Sequence, residues 1–228
     1  MACAVAAAGS MLVIVLGSTG PVYADQAKPE IAFRLTDPRI IESSGLAIST
    51  RQNAVTWTHN DSGGGPRLYA VNGAGRTIAR ITLADLDPYD WEALATGPDH
   101  TLWIGDIGDN SERRKTVALF RVHEPTRLVN RDVRWTRFRF RYPDGPHDAE
   151  AVLVHPKTGR IYIATKGILG GGLYVGPERP SPDQVNDLRR IASVPPVPTI
   201  AIRNSCAAAW RINGRTCVQK CRIASSFG

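Results

Sequence analysis

The sequence predicts an all-β fold built from a repeated four-stranded unit. Three passages, which begin at Glu42, Asp90 and Asp148, share the order acidic, any, polar or acidic, small, aliphatic. Short strands with period-two alternation and turn residues follow each passage, and no stretch of useful length has helical periodicity. Four short strands recurring about every 50 residues, with aromatic residues at equivalent places, are typical of β-propeller blades. A β-sandwich or an irregular meander would also contain short strands, but neither requires the aligned openings.

Each opening passage is predicted to be the first strand of its unit, and three further strands follow it. The second strands are predicted at 54–60, 101–106 and 160–165, and Trp57, Trp103 and Tyr162 occupy equivalent places in them. The third strands are predicted at 67–71, 117–122 and 172–175, and the fourth at 77–83, 133–142 and 189–194. Arginine and aromatic residues alternate at the end of the 133–142 strand, which predicts aromatic side chains against the core and arginines in solvent.

Three units are too few to close a propeller, since known propellers have about 4–8 blades. The repeat stops after Pro198, where the composition changes to alanine, arginine and cysteine without an acid. We expect residues 25–198 to form a partial propeller of about three four-stranded blades. Residues 199–228 are expected to be an irregular, basic, cysteine-containing tail, as a truncation or frameshift near the C-terminus would leave. The alternative is that two such halves associate through their open sheet edges.

The N-terminus has the pattern of a secretory signal peptide. An apolar run from Ala4 to Leu16 precedes the small-x-small sequence that ends at Ala24, although no lysine or arginine comes before the run. We therefore predict a signal peptide at 1–24 and a secreted or extracytoplasmic location. The apolar run is shorter than the ~20 residues of a spanning helix, and no later segment could span a membrane.

The charge distribution argues against a nucleic-acid partner. The formal net charge is +7, but the segment after Pro198 contributes five of these charges, so the body is close to neutral. A nucleic-acid-binding domain would carry clustered basic residues on the fold itself. The body from 25 to 199 has no cysteine, so it depends on core burial and not on disulfides.

Carboxylates in the first strands form the first candidate site. Residues i and i+2 of a strand point to the same face, so Asp90 with Glu92, and Asp148 with Glu150, each present a pair of acids. The first strands of propeller blades line the central channel, where these pairs would meet Glu42. Grouped carboxylates repel one another unless they share a cation or a proton, and oxygen ligands suit Ca²⁺ or Mg²⁺. The structural alternative is that these acids accept backbone N–H bonds between blades.

The ends of the second strands form the second candidate site. Asn60, Asp106 and Thr165 align there, and the residues near them that could contact a ligand are Asn60, Asp61, Asp109 and Lys166. Such residues most often build turns, but Asp106 to Asn110 also offers several oxygen donors in one loop. Lys166 is alternatively a solvated lysine. His59 and His147 lie beside acids and are candidate general bases, although lone loop histidines are commonly incidental.

Taken together, the motifs at 42–46, 59–63, 90–94, 103–110 and 148–152 resemble those of secreted bacterial proteins of the actinobacterial type with a six- or seven-bladed propeller. More distantly, the chain is similar to calcium-dependent propellers of the lactonase and phytase-like kind. The resemblance covers roughly residues 35–194 and supplies no established activity. It implies a channel metal, Ca²⁺, whose ligands by place in the repeat would be Glu42, Glu92, Asp106 and Glu150.

The resulting functional hypothesis is binding of a small ligand or a divalent metal through the channel face. The first alternative is a metal-dependent hydrolase of a lactone, ester or phosphoester, in which Glu92 or Glu150 serves as the catalytic base. The second is a scaffold for a protein partner, a frequent role of propellers.

Overall fold

The computed structural model describes residues 32–61, 64–167 and 170–194, and the backbone of residues 210–212 and 215–217. The chain divides into residues 1–31 and residues 32–228, and the predicted signal peptide lies outside the described residues. The predicted all-β class is confirmed, because the described chain forms strands and no helix. Accordingly, none of the described segments is a long apolar helix capable of crossing a membrane.

Three sheets of four or five strands follow one another along the chain. The first has the order β1 (Ser43–Ile48), β2 (Val55–Asn60), β3 (Arg67–Asn72), β4 (Thr77–Leu83) and β8 (Arg131–Val133). The second has the order β5 (Trp91–Gly97), β6 (Thr101–Asp106), β7 (Val117–His123), β9 (Thr136–Arg141) and β13 (Val185–Asp187). The third has the order β10 (Ala149–Val154), β11 (Ile161–Thr165), β12 (Gly171–Val175) and β14 (Arg189–Val194). In the predicted tail, β15 (Trp210–Ile212) pairs with β16 (Arg215–Cys217).

The predicted strand at 133–142 is wrong as a single element, because its start belongs to another sheet. β8 pairs in parallel with β4 of the first sheet, whereas β9 pairs with β7 of the second. Trp135 lies between them, donates its indole N–H to the carbonyl of Ala84 at 2.9 Å and packs edge-on against Phe120. These contacts hold the connection across the two sheets. In β9 the predicted alternation is confirmed, since Phe138 and Phe140 are buried.

Two apolar clusters lie between consecutive sheets. One joins the first and second sheets, and its largest members include Trp57, Trp91, Ile81, Leu83 and Phe120. The other joins the second and third sheets, and its members include Trp103, Phe138, Phe140, Ile161 and Tyr174. The second sheet is therefore buried on both faces, as expected when three sheets pack face to face.

A buried glutamate also joins the first two sheets. Glu124 follows β7 and is 2% exposed. Its carboxylate accepts hydrogen bonds from the Ser49 hydroxyl, from the backbone N–H and hydroxyl of Thr50 at 2.8 and 2.9 Å, and from the Trp57 indole at 3.0 Å. Ser49 follows the last residue of β1, so this contact lies at the opposite end of β1 from Glu42.

Candidate functional site

The first strand of each sheet begins with a β-bulge. The pairing shifts between Ser43 and Gly45 in β1, between Trp91 and Ala93 in β5, and between Ala149 and Ala151 in β10. The extra residues are therefore Ser44, Glu92 and Glu150. A bulge leaves one residue without a cross-strand partner and redirects its side chain, which is why bulges are frequent beside functional sites. Since β5 contacts both β1 and β10, the three bulges occur in neighbouring strands.

The residue before each bulged strand holds the end of the second strand in place. The carbonyls of Glu42, Asp90 and Asp148 accept N–H bonds from residues just after β2, β6 and β11. The donors are Asp61 at 2.9 Å, Ile107 at 3.1 Å and Lys166 at 2.9 Å, respectively. The predicted residues at the starts of the first strands and those at the ends of the second strands therefore lie at the same end of the sheets.

Three of these acids converge. Asp61, Asp90 and Glu92 each offer a carboxylate oxygen, and the three oxygens lie within 4.8 Å of one another. We call this group the carboxylate cluster. Glu92 is 3% exposed, and its Oε2 accepts a hydrogen bond from the Ser44 hydroxyl at 3.0 Å, while Asp61 and Asp90 are half-buried. One oxygen-rich site is thus built from the bulge residue Glu92, from Asp90 two residues before it, and from Asp61 of the neighbouring sheet.

The surroundings of the carboxylate cluster disfavour ionisation of Asp90. Burial, together with the nearby charges of Asp61 and Asp148, raises the pKa of Asp90 from the ordinary 3.8 to about 6. A hydrogen bond with Asp61 and the charge of Asp106 act in the same direction. Gly108 lies against the Asp90 carboxylate so closely that a Cβ atom would overlap it. The site therefore favours binding of a proton or a cation at Asp90.

Asp106 and Asp109 are held by a single arginine. The Arg114 guanidinium lies 2.7 Å from Asp106 Oδ1, and Asp106 Oδ2 accepts the backbone N–H of Tyr89 at 2.9 Å. Asp109 accepts the backbone N–H of Arg114 at 2.7 Å. The predicted metal ligand Asp106 and the predicted ligand contact Asp109 therefore lie in a loop whose shape Arg114 fixes, outside the carboxylate cluster.

Asp148 and Glu150 are held by a lysine. Lys166 Nζ lies 2.8 Å from Asp148 and 2.5 Å from Glu150. Burial by itself would lower the pKa of Lys166, but the hydrogen bonds to both carboxylates raise it above its ordinary range. Asp148 also accepts the backbone N–H of Asp109 at 2.9 Å, which links the second and third sheets. Lys166 is thus an ion-pair partner whose side chain remains exposed to solvent, and Glu150 lies outside the carboxylate cluster.

The two remaining predicted residues shape the edge of the first sheet. Asn60 accepts the backbone N–H of Glu42 at 3.2 Å and donates to the carbonyl of Arg39 at 2.8 Å. Its side chain is therefore used in local structure. Glu42 itself is half-buried and contributes its backbone to this edge, and its side chain is not a member of the carboxylate cluster.

The two histidines that were predicted as general bases, His59 and His147, differ in environment. His59 is fully buried, its Nδ1 lies 2.7 Å from the carbonyl of Asn60, and its ring packs edge-on against Trp91. His147 Nε2 lies 2.9 Å from Asp144 and 3.0 Å from the Tyr174 hydroxyl, which donates to Asp144 at 2.8 Å.

The His147 group borders a cavity of about 280 Å³ that Lys166 and Arg190 also line. Sequence reasoning missed Asp144 and Tyr174. The turn sequence Pro-Asp-Gly just before His147 was the one available signal.

The chain matches no protein-family model and no curated protein sequence.

Proposed function

We propose that this chain binds a divalent cation, Ca²⁺ in the first instance, through the carboxylate cluster of Asp61, Asp90 and Glu92. The observation that carries the proposal is the approach of three carboxylate oxygens to within 4.8 Å, beside buried surroundings that raise the pKa of Asp90. Ca²⁺ takes about 6–8 oxygen ligands, and three carboxylates, some bidentate, supply a large part of that set. Backbone carbonyls and water are suited to the remaining positions.

The geometry favours this group over the other predicted acids. Arg114 neutralises Asp106, and Lys166 neutralises Asp148 and Glu150. Within the part of the chain that the structure describes, Asp61, Asp90 and Glu92 form the one set of three acidic, histidine or cysteine side chains close enough to share a metal ion. A bound cation would relieve the repulsion among neighbouring carboxylates that helps to raise the pKa of Asp90.

The proposal extends to an exported propeller in which these strands face a central channel. Three sheets in sequence, first strands in contact and a second sheet buried on both faces support this arrangement. The equivalent bulges at Ser44, Glu92 and Glu150 support it as well. In such a fold the carboxylate cluster would open onto the channel, where a small ligand can reach a bound ion.

Calorimetric titration with Ca²⁺ tests the proposal. We expect a dissociation constant of about 0.1–1 mM, as for extracellular calcium modules. Glu92→Gln and Asp61→Asn should weaken binding at least about tenfold, because each removes one anionic ligand. Glu178→Gln, an exposed acid outside the cluster, is the matched control and should leave binding unchanged. Titration of the wild type without heat, or equal weakening in all three variants, refutes the proposal.

A second candidate is hydrolysis of a lactone, ester or phosphoester. It is favoured by the cavity of about 280 Å³, which is lined by His147, Asp144, Tyr174 and Lys166. His147 contacts Asp144 and Tyr174 there, and Lys166 is also the ion-pair partner of Asp148. The residue suited to act as general base is His147, in addition to Glu92, because Glu150 is held by Lys166. A substrate panel assayed with Ca²⁺, with wild type and His147→Asn, separates the two candidates. Cation binding without turnover supports a binding protein.

A further inference from the structure

The cavity that His147 borders carries both signs of charge in its lining. Its volume is about 280 Å³, and its lining does not include the three residues of the carboxylate cluster. The titratable residues that line it come from the loop after β6, from the turn before β10 and from the third sheet. They are Glu112, Asp144, His147, Lys166, Tyr174 and Arg190. Two acids and two bases that are distant in sequence therefore meet at one cavity.

The Tyr174 hydroxyl interacts with an acid and with a base of this cavity. It donates a hydrogen bond to Asp144 Oδ2 at 2.8 Å. Burial and this hydrogen bond raise the pKa of Tyr174, whereas the charge of Arg190 and its hydrogen bond to the hydroxyl act in the opposite direction. Both side chains lie against Gly172, where an added Cβ would be 2.5 Å from Tyr174 Cε2 and 3.0 Å from Arg190 Nε. One hydroxyl group thus reaches a carboxylate and a guanidinium at the same time.

Asp144 is a hydrogen-bond acceptor at neutral pH. Burial alone would raise the pKa of Asp144, but hydrogen bonds from His147 and Tyr174 lower it below the ordinary 3.8. The Asp144 side chain is nevertheless 42% exposed, at the cavity. A carboxylate accepts about four hydrogen bonds, so about two positions remain for a ligand beside those that His147 and Tyr174 occupy.

Arg190 and Lys166 supply hydrogen-bond donors to the same cavity. Arg190 is exposed, and its Nη2 donates to the Ser193 hydroxyl at 3.2 Å. A guanidinium has five N–H donors, so several of them remain for a ligand. The Lys166 side chain is 46% exposed, although its ammonium group also pairs with Asp148.

This mixture of acceptors and donors selects a class of ligand. Carboxylates only accept hydrogen bonds, whereas guanidinium and ammonium groups only donate them. An anion would be repelled by Asp144 and Glu112, and a cation by Lys166 and Arg190. A zwitterion needs the two signs at separate ends of the cavity, but here one hydroxyl reaches both. Because a hydroxyl donates and accepts, a neutral ligand with neighbouring hydroxyls satisfies both kinds of group, as the Tyr174 hydroxyl already does.

We propose that this cavity binds one ring of a sugar or a cyclitol, with neighbouring ring hydroxyls shared between Asp144 and Arg190. Pockets for drug-sized molecules have volumes of about 300–1,000 Å³. A cavity of about 280 Å³ therefore suits a single ring. The site needs no bound cation and no residue of the carboxylate cluster, so it is independent of the cation site proposed above.

The expected affinity is modest. A ring with about twelve non-hydrogen atoms, at the binding efficiency usual for drug-sized ligands, has a dissociation constant of about 1–10 mM. Loss of one hydrogen bond to a charged group should weaken this binding at least about tenfold.

Ligand-detected NMR titration of the full chain tests the proposal. The titration is done in EDTA, so that its outcome does not depend on divalent-cation binding. The probes are glucose, galactose, mannose and myo-inositol, each up to about 50 mM, which is above the expected dissociation constant. Inorganic phosphate and glycine serve as an anion and a zwitterion. We expect at least one of the four polyhydroxylated probes to bind, and phosphate and glycine not to bind.

Paired variants locate the binding. Asp144→Asn and Arg190→Gln should each weaken binding of the polyhydroxylated probe at least about tenfold. The matched controls are Asp183→Asn and Arg189→Gln, which make the same changes at exposed positions that do not line the cavity. Arg189 precedes Arg190 in β14, so its side chain points to the other face of the sheet. Both controls should leave binding unchanged, and circular dichroism establishes that each variant is folded.

Three outcomes overturn the proposal. One is that none of the four polyhydroxylated probes binds. Another is that binding persists in Arg190→Gln or Asp144→Asn, or declines equally in the control variants, because the ring would then lie elsewhere. The third is that phosphate or glycine binds in place of the polyhydroxylated probes, which would indicate a site for an anion or a zwitterion.

Discussion

Asp90→Asn is predicted to stabilise the protein in the absence of divalent cations at neutral pH. Burial, and then the neighbouring carboxylates of Asp61, Asp148 and Asp106, raise the pKa of the Asp90 carboxyl from 3.8 to about 6. A folded-state pKa above the unfolded value means that ionisation opposes folding. The penalty is absent below pH 3.8, develops as the pH rises through about 6, and is complete above it. Asparagine removes the charge and keeps the shape of the side chain.

The magnitude follows from the shift. A pKa of about 6 in the folded state against 3.8 in the unfolded state corresponds to about 3 kcal/mol. Because Asp90 is only half-buried, solvent screening reduces this to about 1 kcal/mol. With Ca²⁺ the order should reverse, since wild type at 100 times its dissociation constant gains about 2.7 kcal/mol, whereas a variant that binds at least about tenfold more weakly gains about 1.4 kcal/mol or less.

Urea unfolding monitored by fluorescence measures this effect. The free energy of unfolding is compared between wild type and Asp90→Asn at pH 7.5 and pH 4, in EDTA and in saturating Ca²⁺. Asp87→Asn is the matched control, because it makes the same chemical change at an exposed position three residues away. The reasoning is refuted if Asp90→Asn is destabilising in EDTA at pH 7.5. An equal difference at pH 4 also contradicts it.

Three further predictions concern neighbouring contacts. Glu124→Ala should lower the free energy of unfolding by about 2–3 kcal/mol, because it leaves the buried Trp57 and Ser49 donors without their acceptor; an unchanged urea midpoint contradicts this role. Gly108→Ala should weaken Ca²⁺ binding in calorimetry, since the added Cβ displaces the Asp90 carboxylate, and unaltered affinity would place the ion elsewhere. Ca²⁺ affinity should also decline as the pH falls from 7.5 to 5.5, because a proton then competes at Asp90; a flat pH profile removes Asp90 from the site.

Much of the sheet structure follows from local sequence signals. Alternation and turn residues predicted β4, β6 and β14 with the observed bounds. β4 and β6 each follow an antiparallel neighbour after a short turn, which leaves the pattern of both strands in one stretch of chain. β8 and β13 were missed. Each has three residues and pairs in parallel with a strand that is distant in sequence, so no hairpin signal marks it.

The sequence predicted where the candidate site lies, but not which residues come together in it. Glu92 was predicted from its place in the first strand, and Asp61 from its place after the second strand, but as parts of two different sites. Their approach depends on contact between the first two sheets, which period-two patterns do not encode. Neutralisation of Asp106 by Arg114 and of Glu150 by Lys166 depends on long side chains, whose reach residue spacing does not fix.

A crystal of the protein grown with Ca²⁺ tests the central claim most directly, by the position of the anomalous difference peak. The account predicts a peak between Asp61, Asp90 and Glu92, with carboxylate oxygens at about 2.3–2.6 Å from the ion. A well-ordered carboxylate cluster without a peak at saturating Ca²⁺, or a peak at Asp106 or Glu150 instead, would contradict it.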